Sequence, residues 1–237
     1  MKIWTEKLLQ TVEQAESPQE LFSRIAETAT VLGFDRCAYG MYMPLPVTRP
    51  KVVIFNNYSS AWKCRYEEAG YLQIDPTVTH AKKTQLPLVW SDQVFQDTPE
   101  FWDEAQAEGL RVGWAKSSQD ASFAVSMLTL ARATEPLTTS ELNTKELQMR
   151  WLVDIAHVAF TRLLTPKLSM VPPSPLTLRE TEILKWSADG KTAGEISQIL
   201  TISVDTVKFH TKNAVAKLGA ANKTAAVARA AILGLLS

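Results

Sequence analysis

Tyr58, Trp62 and Tyr66 recur every four residues, so they share one face of a helix or of its approach. Two phenols and an indole each carry an O–H or N–H that needs an acceptor when buried. Asp75 follows, directly before Pro76, where a helix is expected to start. A carboxylate removed from water is costly unless it accepts hydrogen bonds. Such a set suits the hydrogen-bonded capture of a small guest. Two plainer readings stand beside it: the aromatic series as an ordinary core stripe, and Asp75 as nothing more than a helix cap.

Bond-breaking chemistry finds little support. The only histidines, His80, His157 and His210, lie far apart, and no histidine–aspartate cluster is expected. Cys37 and Cys64 lack the spacing of a redox or zinc motif, and free thiols are expected. Gly190-Lys191-Thr192 imitates the end of a phosphate-binding loop. That loop needs a glycine where Lys185 stands and a preceding strand, and the region before it reads as helix. Neither a metal nor a cofactor is expected.

A second set lies near the C-terminus. Lys208 and Lys212 are four apart, hence adjacent on one helix face, and they open away from an apolar side formed by Val204, Val207, Ala214 and Leu218. Long donors on the open side of a helix are what a major groove requires. Lys191, Thr192, Thr206, Lys217 and Lys223 suit the phosphate backbone. Residues 174–237 hold eight Lys or Arg and five Asp or Glu, while the rest of the chain holds 17 and 20, so a neutral protein carries a basic tail. A solvated helical module that binds another protein would show much of this pattern too.

The elements that must position these residues can be read from spacing and caps. Thr177…Glu180 and Thr192…Glu195 are capping boxes, Ser203 and Asn222 cap two further helices, and Asp189-Gly190 stops the first. Four helices in about sixty residues, with Thr201 and Ile202 between the second and third, fit a helix-turn-helix. Ile183, Ile196, Ile199 and Val227 are the expected packing partners of the third helix. Upstream, four prolines between Thr165 and Pro175 prevent a helix from continuing and mark a linker. Residues 1–164 show helical spacing at 4–15, 18–32, 59–68, 76–83, 99–108 and 138–164. Strands are expected at 37–43, 52–55 and 123–131, with a weaker one at 112–116. Ser17 with Glu20 resembles a capping box, and Leu142, Leu147, Trp151, Ile155, Val158 and Leu163 form the expected apolar face of the last helix. With no βαβ alternation, the fold class is α+β. It is an N-terminal α/β/α sandwich around a mainly antiparallel sheet (1–164), a linker (165–175), and a small all-α four-helix domain (176–237). No stretch is apolar enough for a membrane span, and MKIWTEK has no signal-peptide core, so the expected location is the cytoplasm.

The run Leu176 to Thr192, with Glu195-Ile196, Thr206-Val207-Lys208-Phe209-His210 and Lys217-Leu218, resembles the DNA-binding domain of the LuxR family. The segments Asn57 to Tyr66 and Tyr71 to Thr77, with Trp90 and Phe101-Trp102, resemble that family's autoinducer-binding domain. The resemblance implies a homodimeric quorum-sensing regulator that binds an N-acyl homoserine lactone and an inverted-repeat operator in double-stranded DNA. It implies a recognition helix over 203–217, with Lys208 and Lys212 toward the bases. It further implies that Asp75 accepts the ligand amide N–H, Trp62 donates to the lactone carbonyl and Tyr58 donates to the amide carbonyl. Thr129 then lies near that amide, and Tyr66, Trp90, Phe101 and Leu110 wall the ring and the start of the chain. Departures occur at 116–123, where Phe123 stands in place of a usual glycine, and at Ala38, in place of a serine in some relatives; these leave the acyl chain open. The alternatives are a constitutive regulator, a heterodimerising one, or one tuned to a non-lactone molecule.

Overall fold

The computed structural model describes residues 8–9, 12–45, 48–120, 124–164 and 174–236. Residues 4–7 and 10–11 of the first expected helix, Phe123, and 165–173 of the expected linker lie outside the described residues. The chain divides into two compact units. The first holds the described residues up to Met43, Lys51–Asp120 and Ala124–Leu164; the second contains the C-terminal helices.

The first unit runs α1 (Pro18–Val31), β1 (Arg36–Met43), β2 (Lys51–Asn56), α2 (Ser60–Glu68), a 3-10 turn (Tyr71–Gln73), α3 (Pro76–Lys83), β3 (Leu88–Val89), α4 (Pro99–Ala107), β4 (Val112–Gln119), β5 (Val125–Arg132) and α5 (Thr139–Leu164). Local chemistry sets the helix starts. Ser17, Ser59 and Asp75 accept from the amides of Glu20, Trp62 and Thr77, and a proline follows as the first residue of α1 and α3. Ser17 and Glu20 make only half of the expected box, because the Glu20 carboxylate accepts from the Glu16 amide.

The strands form one antiparallel sheet in the order β2-β1-β5-β4-β3. Alternation along β1 turns Cys37, Tyr39, Met41 and Met43 to one face, where they are buried. Helices α1 and α5 cover that face, with Tyr39 stacked on Phe160 at 4.0 Å between ring centroids. Ala38, Gly40 and Tyr42 point to the other face, on which α3 packs against β4 and β5. β4 is a full eight-residue strand rather than a marginal one, because its neighbours on both sides bury it.

The apolar face expected for α5 is corrected. The helix buries Met149, Leu152, Val153, Ala156, Phe160 and Leu164, whereas Trp151 is 44% and Val158 70% exposed. Leu147 is also exposed; of the expected stripe only Ile155 is buried. The helix carries two apolar stripes, and the one containing alanines lets the backbone approach the sheet closely.

The second unit consists of α6 (Leu178–Ala188), α7 (Ala193–Leu200), α8 (Val204–Lys217) and α9 (Lys223–Ile232). Both capping boxes form, and Ser203 and Asn222 cap α8 and α9. Gly190 takes the left-handed conformation after α6, at φ 84°. Thr201 takes it after α7, at φ 53°, where a β-branched residue costs about 1–2 kcal/mol. Val207 packs with Ile183 and Ile196, and Ala214 and Leu218 pack with Leu184, Ala226 and Ala230. Two expected core members are corrected: Ile199 and Val204 are exposed, since each lies on the outer edge of its helix.

One polar knot joins three elements of the first unit. Glu141 at the start of α5 pairs with Arg132 at the end of β5 (2.7 Å) and with Lys145 (2.9 Å). Lys145 also donates to the Leu32 carbonyl beyond α1, and Arg132 to the Glu135 carbonyl. The Arg132 guanidinium, then Lys145, hold the Glu141 carboxyl down to about 2, with burial opposing. A depressed carboxylate contributes stability above its ordinary range and loses it as pH falls toward the folded value. Glu141→Gln is therefore expected to destabilise the chain by about 1–3 kcal/mol at neutral pH. In urea titrations the gap to wild type should shrink steadily between about pH 5 and pH 2.

Candidate ligand cavity and nucleic-acid interface

The sheet face opposite α1 and α5 does not close. It borders a cavity of about 710 Å³, lined from β1, β2 and β5, from α2, α3 and α4, and by Phe22 and its neighbours on α1. Tyr58, Trp62, Tyr66, Asp75, Trp90, Phe101, Leu110 and Thr129, expected from the sequence, all line it. Trp102, noted with Phe101 in the sequence, lines it too; also on the wall, and not anticipated, are Phe22, Gly40, Ile54, Val78 and Met127. Strand alternation could have suggested Gly40 and Met127; the others needed the tertiary arrangement.

The wall is rigid because aromatic rings brace one another. Trp62 meets Tyr66, Tyr71 and Phe101 at centroid distances of 5.9–6.0 Å, and Phe95 stacks on Trp102 at 4.1 Å. The Trp102 indole donates to Asp92 (2.8 Å). Outside the cavity, Glu104 on α4 accepts from Arg65 on α2 and from the Tyr71 hydroxyl, each at 2.7 Å, so the two helices are fastened over it. Trp90 stands edge-on to Phe95 and Trp102, and its ring occupies the space a side chain at Gly113 would need.

The polar groups cluster at one end. Asp75 is buried; its Oδ1 accepts from the Thr77 amide (2.8 Å) and hydroxyl (2.6 Å), and its Oδ2 from the Tyr66 hydroxyl (2.9 Å). Asp75 is thus a helix cap and a cavity residue at once. Burial pushes its carboxyl above the ordinary value, against the bonds from Thr77 and Tyr66. Tyr66 is raised by burial and by the Asp75 charge, and Tyr58 mainly by burial. The Tyr58 hydroxyl, the Trp62 indole N–H and the Thr129 hydroxyl make no hydrogen bond to any described residue. The Trp90 indole N–H is enclosed and has no partner among the described residues.

A histidine–aspartate pair does exist, contrary to the sequence-based expectation. His157 lies between Ser126 (Nδ1 to Oγ, 2.8 Å) and Asp120 (Nε2 to Oδ2, 3.5 Å). Ser126 is only 1% exposed and His157 belongs to α5, so this hydrogen bond ties the sheet to the helix. No group of three metal-ligating side chains occurs among the described residues.

In the second unit Lys208, Lys212 and Lys223 are exposed and Lys191 half-buried. The nearest acid to Lys208 is Asp205 at 3.8 Å, a loose exposed pair that holds it weakly. The Thr192 hydroxyl serves its capping box, and the Thr206 hydroxyl meets Ser203 (2.8 Å). Lys217 is engaged within the domain. Its ammonium bonds Glu180 (2.8 Å) and the Pro175 carbonyl (3.1 Å), so its charge is matched inside the domain. Burial alone would raise the Glu180 carboxyl; Lys217 and the Thr177 amide outweigh it and leave it lowered. Phe209, beside Lys208, is 60% exposed and was not foreseen as a surface residue.

This pairing of an aromatic-walled cavity with a helix-turn-helix is the architecture of an autoinducer-binding transcription regulator. The family model "Autoinducer binding domain" matches residues 17–160, and that for "Bacterial regulatory proteins, luxR family" matches residues 174–230. The transcriptional activator protein AnoR of Acinetobacter nosocomialis is 42% identical over the whole of both chains. The HTH-type quorum-sensing regulator RhlR of Pseudomonas aeruginosa is 36% identical over 99% of this chain and 97% of its own. Among solved structures, Escherichia coli SdiA aligns at TM-score 0.83 and 34% identity over 100% of this chain and 99% of its own. SdiA in complex with octanoyl-rac-glycerol aligns at 0.82 and 34%, over 99% and 96%. The chain belongs to the LuxR family of quorum-sensing transcription regulators, which are not enzymes. No helix among the described residues is long and apolar enough to cross a membrane.

Gly113 offers a direct test of the wall. Gly113→Ala places a methyl group inside the Trp90 indole, so the ring must leave its position. The expected outcome is a loss of about 1–3 kcal/mol in stability. A changed near-UV circular dichroism signal from the tryptophans should accompany it.

Proposed function

We propose that the chain is a cytoplasmic regulator that binds an N-acyl homoserine lactone in the cavity and an inverted-repeat operator through α8, acting as a homodimer. The observation that carries this reading is the unequal bonding at the polar end. Asp75 Oδ2 accepts from the Tyr66 hydroxyl on the cavity wall, while the donors of Tyr58, Trp62 and Thr129 line the same space without a hydrogen bond to any described residue. An acyl homoserine lactone supplies the complement: an amide N–H for Asp75, an amide carbonyl for Tyr58, a ring carbonyl for Trp62 and an apolar tail. Thr129 lies beside the amide; Tyr66, Trp90, Phe101 and Leu110 enclose the ring. Filling the cavity adds buried contacts that only the folded state offers, so ligand stabilises the form that pairs on DNA. At the DNA, Lys208 and Lys212 reach base edges, with Lys191, Thr192, Thr206 and Lys223 toward phosphates. Phe209 adds an exposed apolar surface next to Lys208.

A second reading has one observation in its favour, the octanoyl-rac-glycerol complex of SdiA. An acylglycerol offers a similar apolar tail but lacks an amide N–H for Asp75.

The two readings separate in one titration. Asp75→Asn keeps an oxygen for Thr77, so apo stability should hold; the charged carboxylate, raised by burial, contributes none above its ordinary range. Lactone binding should weaken by about 1–3 kcal/mol because the amide N–H then meets a donor or a weaker acceptor. In wild type, binding should decline as pH falls through the raised Asp75 value, since the ligand N–H favours the ionised form; the variant should lose that slope. Octanoylglycerol binding with no lactone response at any pH rejects the lactone reading.

Replacing Lys208 or Lys212 with Ala should reduce operator affinity by about 1–3 kcal/mol and affinity for random DNA much less. Equal losses on both, measured at one salt concentration, would reassign that lysine to phosphate.

A further inference from the structure

Gly40 sits in the middle of β1, paired with Ile54 on β2 and Met127 on β5. All three line the cavity. Its backbone is ordinary strand, so no positive φ requires glycine there. A Cβ built on Gly40 meets no heavy atom within 4 Å, in contrast to Gly113, whose missing side chain is replaced by Trp90. A glycine inside a strand weakens it and usually marks a place where something approaches closely. Here nothing of the protein does.

The register gives this gap a place along the ligand. The row across the sheet at Ala38 contains Thr129, at the polar end of the cavity. Gly40 and Met127 form the next row on the same face, about 7 Å further along the strands. Tyr42, Val52 and Val125 form the row after that, again on the cavity wall. Ala38 and Gly40 therefore make a shallow trough that leads from the polar end toward Tyr42, flanked by Ile54 and Met127.

We infer that Gly40 sets the accepted acyl length: its missing side chain is the floor over which the distal tail of a long-chain ligand runs. This rests on the cavity being the acyl-ligand site. A headgroup held at Asp75, Trp62 and Tyr58 leaves a short butanoyl tail near the Ala38 and Thr129 row. A dodecanoyl tail must pass Gly40. The residue thus selects for long chains by offering space, and a side chain there closes the trough without touching the headgroup site.

The test uses the full chain with butanoyl-, octanoyl- and dodecanoyl-homoserine lactone, reading dissociation constants from tryptophan fluorescence and thermal midpoints with and without ligand. Gly40→Val adds a β-favouring residue in open space, so its apo midpoint should equal or exceed that of wild type. Wild type should bind the dodecanoyl compound more tightly than the butanoyl one. Gly40→Val should weaken the dodecanoyl compound by about tenfold or more and the butanoyl compound by less than about threefold. Gly40→Ala should fall between, which keeps the comparison readable should valine prove too large to fold. Equal losses for short and long chains, no loss for either, or a wild type that prefers butanoyl would overturn the role of Gly40 while leaving lactone binding in place. A wild type that binds none of the three overturns the lactone reading and this inference with it.

Discussion

A sheet has two faces, and this one fills them unequally. On the side of α1 and α5, large apolar side chains interdigitate to the density of a protein interior, with Tyr39, Phe55 and Phe160 stacked together. On the other side, small residues of β1 face a hollow. A hollow of about 710 Å³ persists only if its walls resist collapse. Resistance comes from rings with few torsions, set edge to face, and from bonds that fasten the covering helices at their outer surfaces. The dense face supplies stability and the hollow face supplies function.

That division explains the position of Asp75. A buried carboxylate needs donors, and Thr77, Tyr66 and the Val78 amide provide them. The same residue bonds its amide to the Tyr71 carbonyl of the 3-10 turn, caps α3 and lines the cavity, so the local fold and the polar end of the cavity are positioned by one group. On the dense side the Ser126–His157 hydrogen bond joins β5 to α5, and Asp120, just past β4, lies 3.5 Å from the other ring nitrogen.

The second unit is governed by caps more than by core size. Its four helices are short, and each begins at a side chain that accepts from the amide of the third helical residue. Glu180 serves in the first capping box and again as the anchor for Lys217 at the far end of α8. The orientation of α8 is therefore held by a charge pair at one end and by Val207 in the core near the other, leaving Lys208 and Lys212 outward.

Much of this was present in the order of residues alone. Caps, prolines and glycines act over three or four positions, so helix starts and the helix-turn-helix followed from sequence. The eight cavity residues were named through their resemblance to known patterns and their paired polar and apolar character. What sequence left undecided depends on contacts between distant segments. Both stripes of α5 are apolar, and only the approach of the sheet chose the one with Ala156. Lys217 looks like any exposed lysine until folding brings Glu180, 37 residues earlier, to its ammonium. Gly40 and Gly113 are both glycines in strands; one is filled by Trp90 and the other borders open space, because a neighbour's position is a property of the packed chain and not of the residue.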